Sequence, residues 1–191
     1  MNNPMVTLGI SNDAGTVRAD HDFYATPHYA VEELLKRETF SNNVWECACG
    51  HGHISEVLKN HGYNVKSTDL IDRGYGTGNV DFLKTHGIYK GDIVTNPPYF
   101  RNNALLFVKK ALQTIPEGHK VAMFLRLLFI EGQGRRELFD QYPPVRIYAF
   151  SKRVFAGKNG ELENTKGNSA MAFAWFVWEK GNTNLPTLHW I

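Results

Sequence analysis

The chain has 191 residues, 42% hydrophobic and 21% charged, with a formal net charge of +2; that suits one soluble domain with a full-sized core and gives too weak an overall field to mark a nucleic-acid binder by itself. Two cysteines, Cys47 and Cys49, are too few for a disulfide framework, so a reducing, cytoplasmic setting is expected. The longest apolar stretch, 121–130, is interrupted by Arg126 and is too short to span a bilayer, and the first residues lack the basic-then-apolar pattern of a signal peptide.

Residues 1–21 are polar and rich in Gly, Asn and Asp, and are expected to be loose unless something pins them. Thr26 as N-cap and Pro27 at the first helical position predict a helix running to about Arg37 or Glu38. Residues 44–49 read as a first strand. It leads into Gly50-His51-Gly52-His53 and a helix from about Ile54 to Asn60, closed by Gly62. A second strand spans 65–70. A Gly-rich loop over 73–78 and a short apolar piece at 80–83 follow, then a buried strand over 92–95.

Asn96-Pro97-Pro98-Tyr99 follows that strand. Two prolines offer no N–H to a ladder, so the strand must stop at Asn96 and give way to a stiff turn. Proline also restricts the residue before it. Asn96 and Pro97 are therefore held nearly rigid, with their carbonyl groups aimed in set directions and the ring of Tyr99 beside them. Fixed acceptors next to a flat aromatic surface suit a planar group bearing an NH2, such as the amino edge of a nucleobase.

Beyond this turn, 104–115 predicts an amphipathic helix and 121–128 a strand. Residues 134–142 predict a helix stopped by Pro143-Pro144, and 145–150 a further strand. A polar loop fills 151–169. Residues 171–178 give a last strand, read as core rather than as a stacking platform, and 181–191 a tail. Strands alternating with helices imply a mainly parallel sheet covered on both faces. The last two strands lack a helix between them, which implies an antiparallel pair at one edge. Ligands in such sheets bind at the C-terminal strand ends, where 46–52, Asp69 and 96–99 all fall.

At those ends Gly50 and Gly52 let the backbone approach a ligand closely. Asp69 stands where an acidic residue takes ribose hydroxyls. Ser55 leaves a G-x-G-x-x-G dinucleotide fingerprint incomplete, and Glu46 brings negative charge that suits a cation better than a pyrophosphate. Cys47, Cys49, His51 and His53 invite a zinc reading, but their spacing departs from structural zinc sites. No metal is expected. Arg126 within an apolar strand is either a paired core charge or a site residue.

Together, Glu46-x-Ala48-x-Gly50-x-Gly52, Asp69, Asp81-Phe82 and Asn96-Pro97-Pro98-Tyr99 resemble the ordered motifs of S-adenosylmethionine-dependent amino-methyltransferases. With Tyr24-Ala25-Thr26-Pro27, the chain is similar to DNA adenine-N6 methyltransferases, including small phage and prophage forms, over about residues 22–180. The resemblance implies a Rossmann-like methyltransferase fold with a mainly parallel, seven-stranded type of sheet. It implies S-adenosylmethionine as cofactor, S-adenosylhomocysteine as product, and DNA as partner. Tyr24, Thr26 and Glu46 would lie near the methionine end. The loop through Ala48, Gly50 and Gly52 would pass beneath it. Asp69, with Leu70 after it, would bind the ribose, and Asp81 and Phe82 the cofactor's adenine.

Asn96 and Pro97 would accept the N–H bonds of the target amine, and Tyr99 would stack on a flipped base with Phe155 on its other face. No separate target-recognition domain is expected. Base contacts would come from 1–21, 100–104, 130–137 and 151–169, and phosphate contacts from Arg101, Arg135, Arg136, Lys152 and Arg153. A monomer or a homodimer sharing a duplex are both open. Methylation of RNA bases or of a protein glutamine amide, a non-catalytic nucleotide-binding module and an NAD-type oxidoreductase are the alternatives.

Overall fold

The computed structural model describes residues 24–100, 102–155, 157–158 and 171–191. The N-terminal segment, Arg101 and most of the 151–169 loop, with the base and phosphate contacts expected of them, lie outside the described residues.

Nine strands and four α-helices are described. They run in the order β1 (Tyr24–Ala25), α1 (His28–Leu35), β2 (Asn43–Glu46), α2 (His53–Asn60), β3 (Asn64–Ser67), β4 (Asp92–Thr95), α3 (Asn103–Thr114), β5 (Lys120–Arg126), α4 (Arg136–Gln141), β6 (Arg146–Ala149), β7 (Gly157–Lys158), β8 (Phe173–Glu179) and β9 (Thr187–Trp190). Seven strands form one sheet in the order β3-β2-β4-β5-β8-β6-β9. All neighbours run parallel except β8, which is antiparallel to both β5 and β6. The expected antiparallel strand is therefore present as β8, held between β5 and β6. None of the described helices is long and apolar enough to cross a membrane.

The central strands are apolar on both faces because both faces are covered. Along β5, Val121, Met123 and Leu125 join Trp45, Ile93, Val108 and Leu112 on the face covered by α3. Ala122 and Phe124 alternate onto the other face, with Val31, Leu34, Ile54 and Leu58 from α1 and α2. In β8, Phe176 and Trp178 take the first face, and Phe173 and Trp175 the second. The aromatic run 173–178 is thus core, as its composition predicts.

Three local readings differ from the structure. Thr26 is predicted to cap α1, but Pro27 occupies the cap position with extended backbone (φ −61°, ψ 142°), and the Thr26 hydroxyl is used elsewhere. The first strand ends at Glu46 rather than Cys49, because Gly50 turns the chain at φ 54° and the Cys49 N–H leaves the ladder for the Thr68 carbonyl at 3.0 Å. Residues 187–190, read within a tail, add the edge strand β9 beside β6. All four are exposed, so no buried face announces the strand in the sequence.

One buried acid fastens the end of α1 to the sheet. Glu38 is 3% exposed. Its carboxylate accepts hydrogen bonds from Arg146 Nε, Arg146 Nη2 at 2.9 Å, Lys120 Nζ at 2.8 Å and the Tyr148 hydroxyl at 2.9 Å. Burial opposes its charge, but the bonds from Arg146, Lys120 and Tyr148 outweigh burial and hold the carboxyl below the usual range. A depressed carboxyl stabilises the fold above its unfolded-state pKa and loses that contribution as pH falls through the folded-state value. Glu38→Ala leaves two cations without their shared partner. It is expected to cost about 3 kcal/mol, the low end for breaking a buried pair, because Lys120 and Arg146 keep some solvent contact. Urea unfolding at neutral pH measures this, and the difference from wild type should shrink in acid.

Candidate active site

The C-terminal ends of β2 and β4 and the loop after β3 enclose a cavity of about 560 Å³, well within the range for small-ligand sites. Tyr24, Thr26, Glu46, Ala48, Asp69, Leu70, Asp81, Phe82, Asn96, Pro97 and Pro98 line it. Five separate stretches of sequence are brought together at this cavity. Pro27, Gly50, Gly52 and Tyr99 stand behind the wall.

Asn96 is the best-determined group in this wall. Its Nδ2 donates to the Tyr24 carbonyl at 2.8 Å and the Thr26 hydroxyl at 3.0 Å. A carbonyl only accepts, so the orientation of the amide is fixed. Its oxygen then faces the Tyr99 hydroxyl, which bonds to it. That hydroxyl also lies 2.9 Å from the Phe124 carbonyl. One hydrogen stands between two acceptors and serves one at a time. The Tyr24-Ala25-Thr26-Pro27 segment and the Asn96 turn are therefore one unit, joined across seventy residues of sequence.

The ring of Tyr99 has neighbours of its own. Its ring packs against Tyr24 and Phe173 at centroid distances of 6.3 and 6.1 Å, and the guanidinium carbon of Arg126 lies 5.2 Å from its centroid.

Asp69 accepts the Gly50 N–H at 2.8 Å on one oxygen and the Ile71 N–H at 2.9 Å on the other. A carboxylate has about four acceptor positions, so capacity remains on the cavity side. Gly52, at φ 87°, faces the ring of Tyr75, and a Cβ there would meet ring atoms at 2.4 Å. Both that packing and the left-handed backbone call for glycine there. Asp81 accepts from the Leu83 N–H at 3.1 Å, capping the 3₁₀ turn Phe82–Lys84. Phe82 is 2% exposed, edge-on to Trp45 at 5.2 Å and tilted against Phe107 at 5.1 Å. It supports the wall as much as it faces the cavity.

Glu46 is buried at the end of β2. Burial raises its carboxyl to about 8, against hydrogen bonds from Ser55 that pull it down, while the charge of Asp69 pushes the same way as burial. Ser55, fully buried, donates to Glu46 and lies 2.6 Å from the Ser67 hydroxyl. The residue that breaks the dinucleotide fingerprint thus serves the acid. Burial pushes the Cys47 thiol well above its ordinary value and Cys49 up to about 12. Both are thiols at neutral pH. Among the described residues no three His, Cys, Asp or Glu side chains group as metal ligands.

His53, Arg73, Asn103 and Phe107 also line the cavity. His53 enters at the start of α2, just after the glycine loop, and no motif marks the other three; the folding of the 71–83 loop and the start of α3 against the strand ends brings them in. The basic residues expected at phosphate scatter. Arg135 donates to the Leu128 carbonyl at 3.3 Å and to the Glu131 carbonyl, bracing its own turn. Arg136 pairs with Asp140 at 2.8 Å on the surface of α4. Lys152 and Arg153 are exposed, and Phe155, half-buried, is bonded through its backbone to Tyr29. None of these lines the cavity among the described residues.

No protein-family model and no curated sequence matches the chain. Solved structures do. A protein assigned to the class I S-adenosylmethionine-dependent methyltransferases from Listeria monocytogenes superposes with a TM-score of 0.59 at 12% identity, covering 97% of this chain and 70% of that one. The glycopeptide N-methyltransferase MtfA, solved with S-adenosyl-L-methionine, gives 0.56 at 11% identity, over 88% of this chain and 99% of that one. A protein described as a hemolysin from Lactococcus lactis gives 0.59 at 10% identity, over 85% and 91%. The shared feature is the Rossmann-like methyltransferase fold, and at such identity the likeness extends to the fold alone.

The raised carboxyl of Glu46 sets a pH dependence. The folded state holds a proton that the unfolded chain releases above the ordinary carboxylate value, so stability falls as pH rises from there through about 8. Glu46→Gln keeps the shape and removes the titration. Its melting temperature should therefore gain on wild type as pH rises from about 5 and level off above about 8, as read by thermal unfolding in matched buffers. Parallel curves would mean Glu46 is ionised in the native state throughout.

Proposed function

We propose that this protein transfers a methyl group from S-adenosylmethionine to the N6 amino group of adenine in DNA. The observation that carries the reading is the Asn96-Pro97-Pro98-Tyr99 turn at the cavity wall, its amide clamped to Tyr24 and Thr26. The cavity's acids and size fit the cofactor. Asp69 has spare acceptor capacity for ribose hydroxyls, and Asp81 stands where an exocyclic amine can donate. Phe82 gives an apolar wall, with Leu70 and Ala48 beside it. Glu46, with Tyr24 and Thr26, would take the cationic methionine portion. Gly50, Gly52 and Pro27 shape the backbone behind. The cofactor supplies an activated methyl on a sulfonium, so no covalent enzyme intermediate is needed.

The protein's part is orientation in a dry pocket. An exocyclic adenine nitrogen is a poor nucleophile because its lone pair is delocalised into the ring. Accepting its N–H bonds at the Asn96 oxygen and the Pro97 carbonyl favours a more pyramidal nitrogen. Asn96 can do so once the Tyr99 hydrogen turns to the Phe124 carbonyl, which lies within reach. The Tyr99 hydroxyl thus fills the substrate's place on Asn96 until the amine arrives. The base must leave the duplex to reach this wall, and Arg101, Arg135, Arg136, Lys152, Arg153 and Phe155 are the proposed contacts around it.

The test is transfer of labelled methyl to unmethylated duplex DNA, followed by nucleoside analysis. Wild type should yield N6-methyladenine, and Asn96→Ala should lose a factor of about 10² or more while S-adenosylhomocysteine still raises its melting temperature. Label absent from DNA with cofactor binding intact would redirect the search to RNA or a glutamine amide. No cofactor binding would remove the methyltransferase reading altogether.

A further inference from the structure

β5 outruns its neighbour. Its pairing with β4 ends at Thr95 and Met123, while its pairing with β8 continues to Arg126 and Phe173. On the side away from β8, residues 124–126 therefore run beside the Asn96 turn instead of beside β4. The Phe124 carbonyl meets the Tyr99 hydroxyl there, and Arg126 carries its guanidinium over the Tyr99 ring, 5.2 Å from the centroid. Arg126 is half-buried, and its Nε is shut off from solvent with no hydrogen-bond partner among the described residues. No carboxylate among the described residues pairs with it.

This is an expensive arrangement for a structural residue. A buried donor left unmade costs about 1–3 kcal/mol, and a leucine would complete an apolar strand end without that penalty. The aromatic face of Tyr99 offsets part of the charge, yet a ring face satisfies no N–H in the guanidinium plane. By contrast Arg135, whose Nε is likewise buried, spends its Nη2 on two carbonyls. Arg126 holds a planar fork of donors, which matches phosphate oxygens, against the residue that fixes Asn96.

We infer that Arg126 binds a phosphate of the target strand, making the methyl acceptor a nucleotide unit rather than a free nucleoside or a side-chain amide. The inference rests on the proposed reading of the Asn96 wall as the place of an amino-bearing base; a nucleotide carries its phosphate one sugar away from that base. Arg126 then both orders Tyr99 and reads the anion.

Calorimetric titration with S-adenosylhomocysteine present tests it, comparing deoxyadenosine 5′-monophosphate with deoxyadenosine. Wild type should bind the nucleotide about tenfold or more tightly, equivalent to about 1.4 kcal/mol. Arg126→Gln should bring the two ligands to within about twofold, and Arg126→Lys should keep part of the preference as charge without the fork. Equal wild-type affinities, no binding of the nucleotide, or a preference that survives Arg126→Gln would each overturn the inference. So would equal weakening of both ligands by Arg126→Gln, which would mark Arg126 as a prop for Tyr99 only. The readout needs no turnover. A phosphate preference dependent on Arg126 in a protein that fails to methylate DNA would leave this site standing and remove the reaction; methylated DNA without that preference would do the reverse.

Discussion

The amide of Asn96 is the constraint on which the site depends. Its nitrogen is held by the Tyr24 carbonyl and the Thr26 hydroxyl, and its oxygen by Tyr99. Two partners come from the Tyr24–Pro27 segment, far away in sequence, and the third from the Asn96 turn itself. The β1 segment is only two residues long and pairs with β7 rather than with the main sheet, so little else ties it in place. Pro27 ends it by starting α1 with extended backbone. Remove the amide and the segment that closes one side of the cavity loses its anchor, while the turn loses its fixed orientation. The two prolines matter in the same way. They stop β4 at the point where the sheet's parallel order opens a crevice, and they keep the amide from following backbone motion.

The sheet supplies the second condition. β8 lies antiparallel between β5 and β6, with both faces buried, and keeps β5 extended beyond the end of β4. A strand that stopped with its parallel neighbour would leave Phe124 and Arg126 out of reach of Tyr99. The long β5–β8 pairing is therefore what brings a carbonyl and a guanidinium to the motif. Core packing and site construction are the same set of hydrogen bonds at this edge: Phe124 stacks on Phe173 at 4.9 Å while its carbonyl faces the Tyr99 hydroxyl.

The legible parts of the sequence were those in which chemistry and local geometry coincide. Asn96-Pro97-Pro98-Tyr99 is readable because proline enforces the turn wherever it occurs. The helix–strand alternation is readable because apolar runs bounded by glycine have few other solutions. Thr26 was misread because a threonine before proline satisfies the rule for a helix cap, and nothing local reveals that an amide seventy residues away claims its hydroxyl. Ser55 was seen only as a gap in a fingerprint, since its bond to Glu46 crosses from α2 to β2. Tyr99 was read as a ring; its hydroxyl acquires meaning only when Phe124 is placed beside it. β9 lacks a buried face, and pattern reading depends on burial. In each case what was missed is a long-range contact without periodicity.

Glu46 and Asp69 show how the same strand ends produce two different acids. Asp69 lies in the loop after β3, where backbone N–H groups of Gly50 and Ile71 converge on its two oxygens. Glu46 is buried at the end of β2, where Ser55 supplies hydrogen bonds from its hydroxyl and its backbone and the nearby charge of Asp69 has the same sign. Burial therefore leaves Glu46 protonated at neutral pH, and a cation arriving in the cavity would favour its ionised form. Charge on that wall then appears with the ligand instead of being stored in the empty site. The β2 strand avoids the cost of a permanently ionised, unpaired carboxylate in the core. The affinity of such a site for a cation must then rise with pH up to about 8, with a proton released on binding. A neutral ligand would show no such linkage, so the pH dependence distinguishes a sulfonium-bearing cofactor from an uncharged one of the same shape.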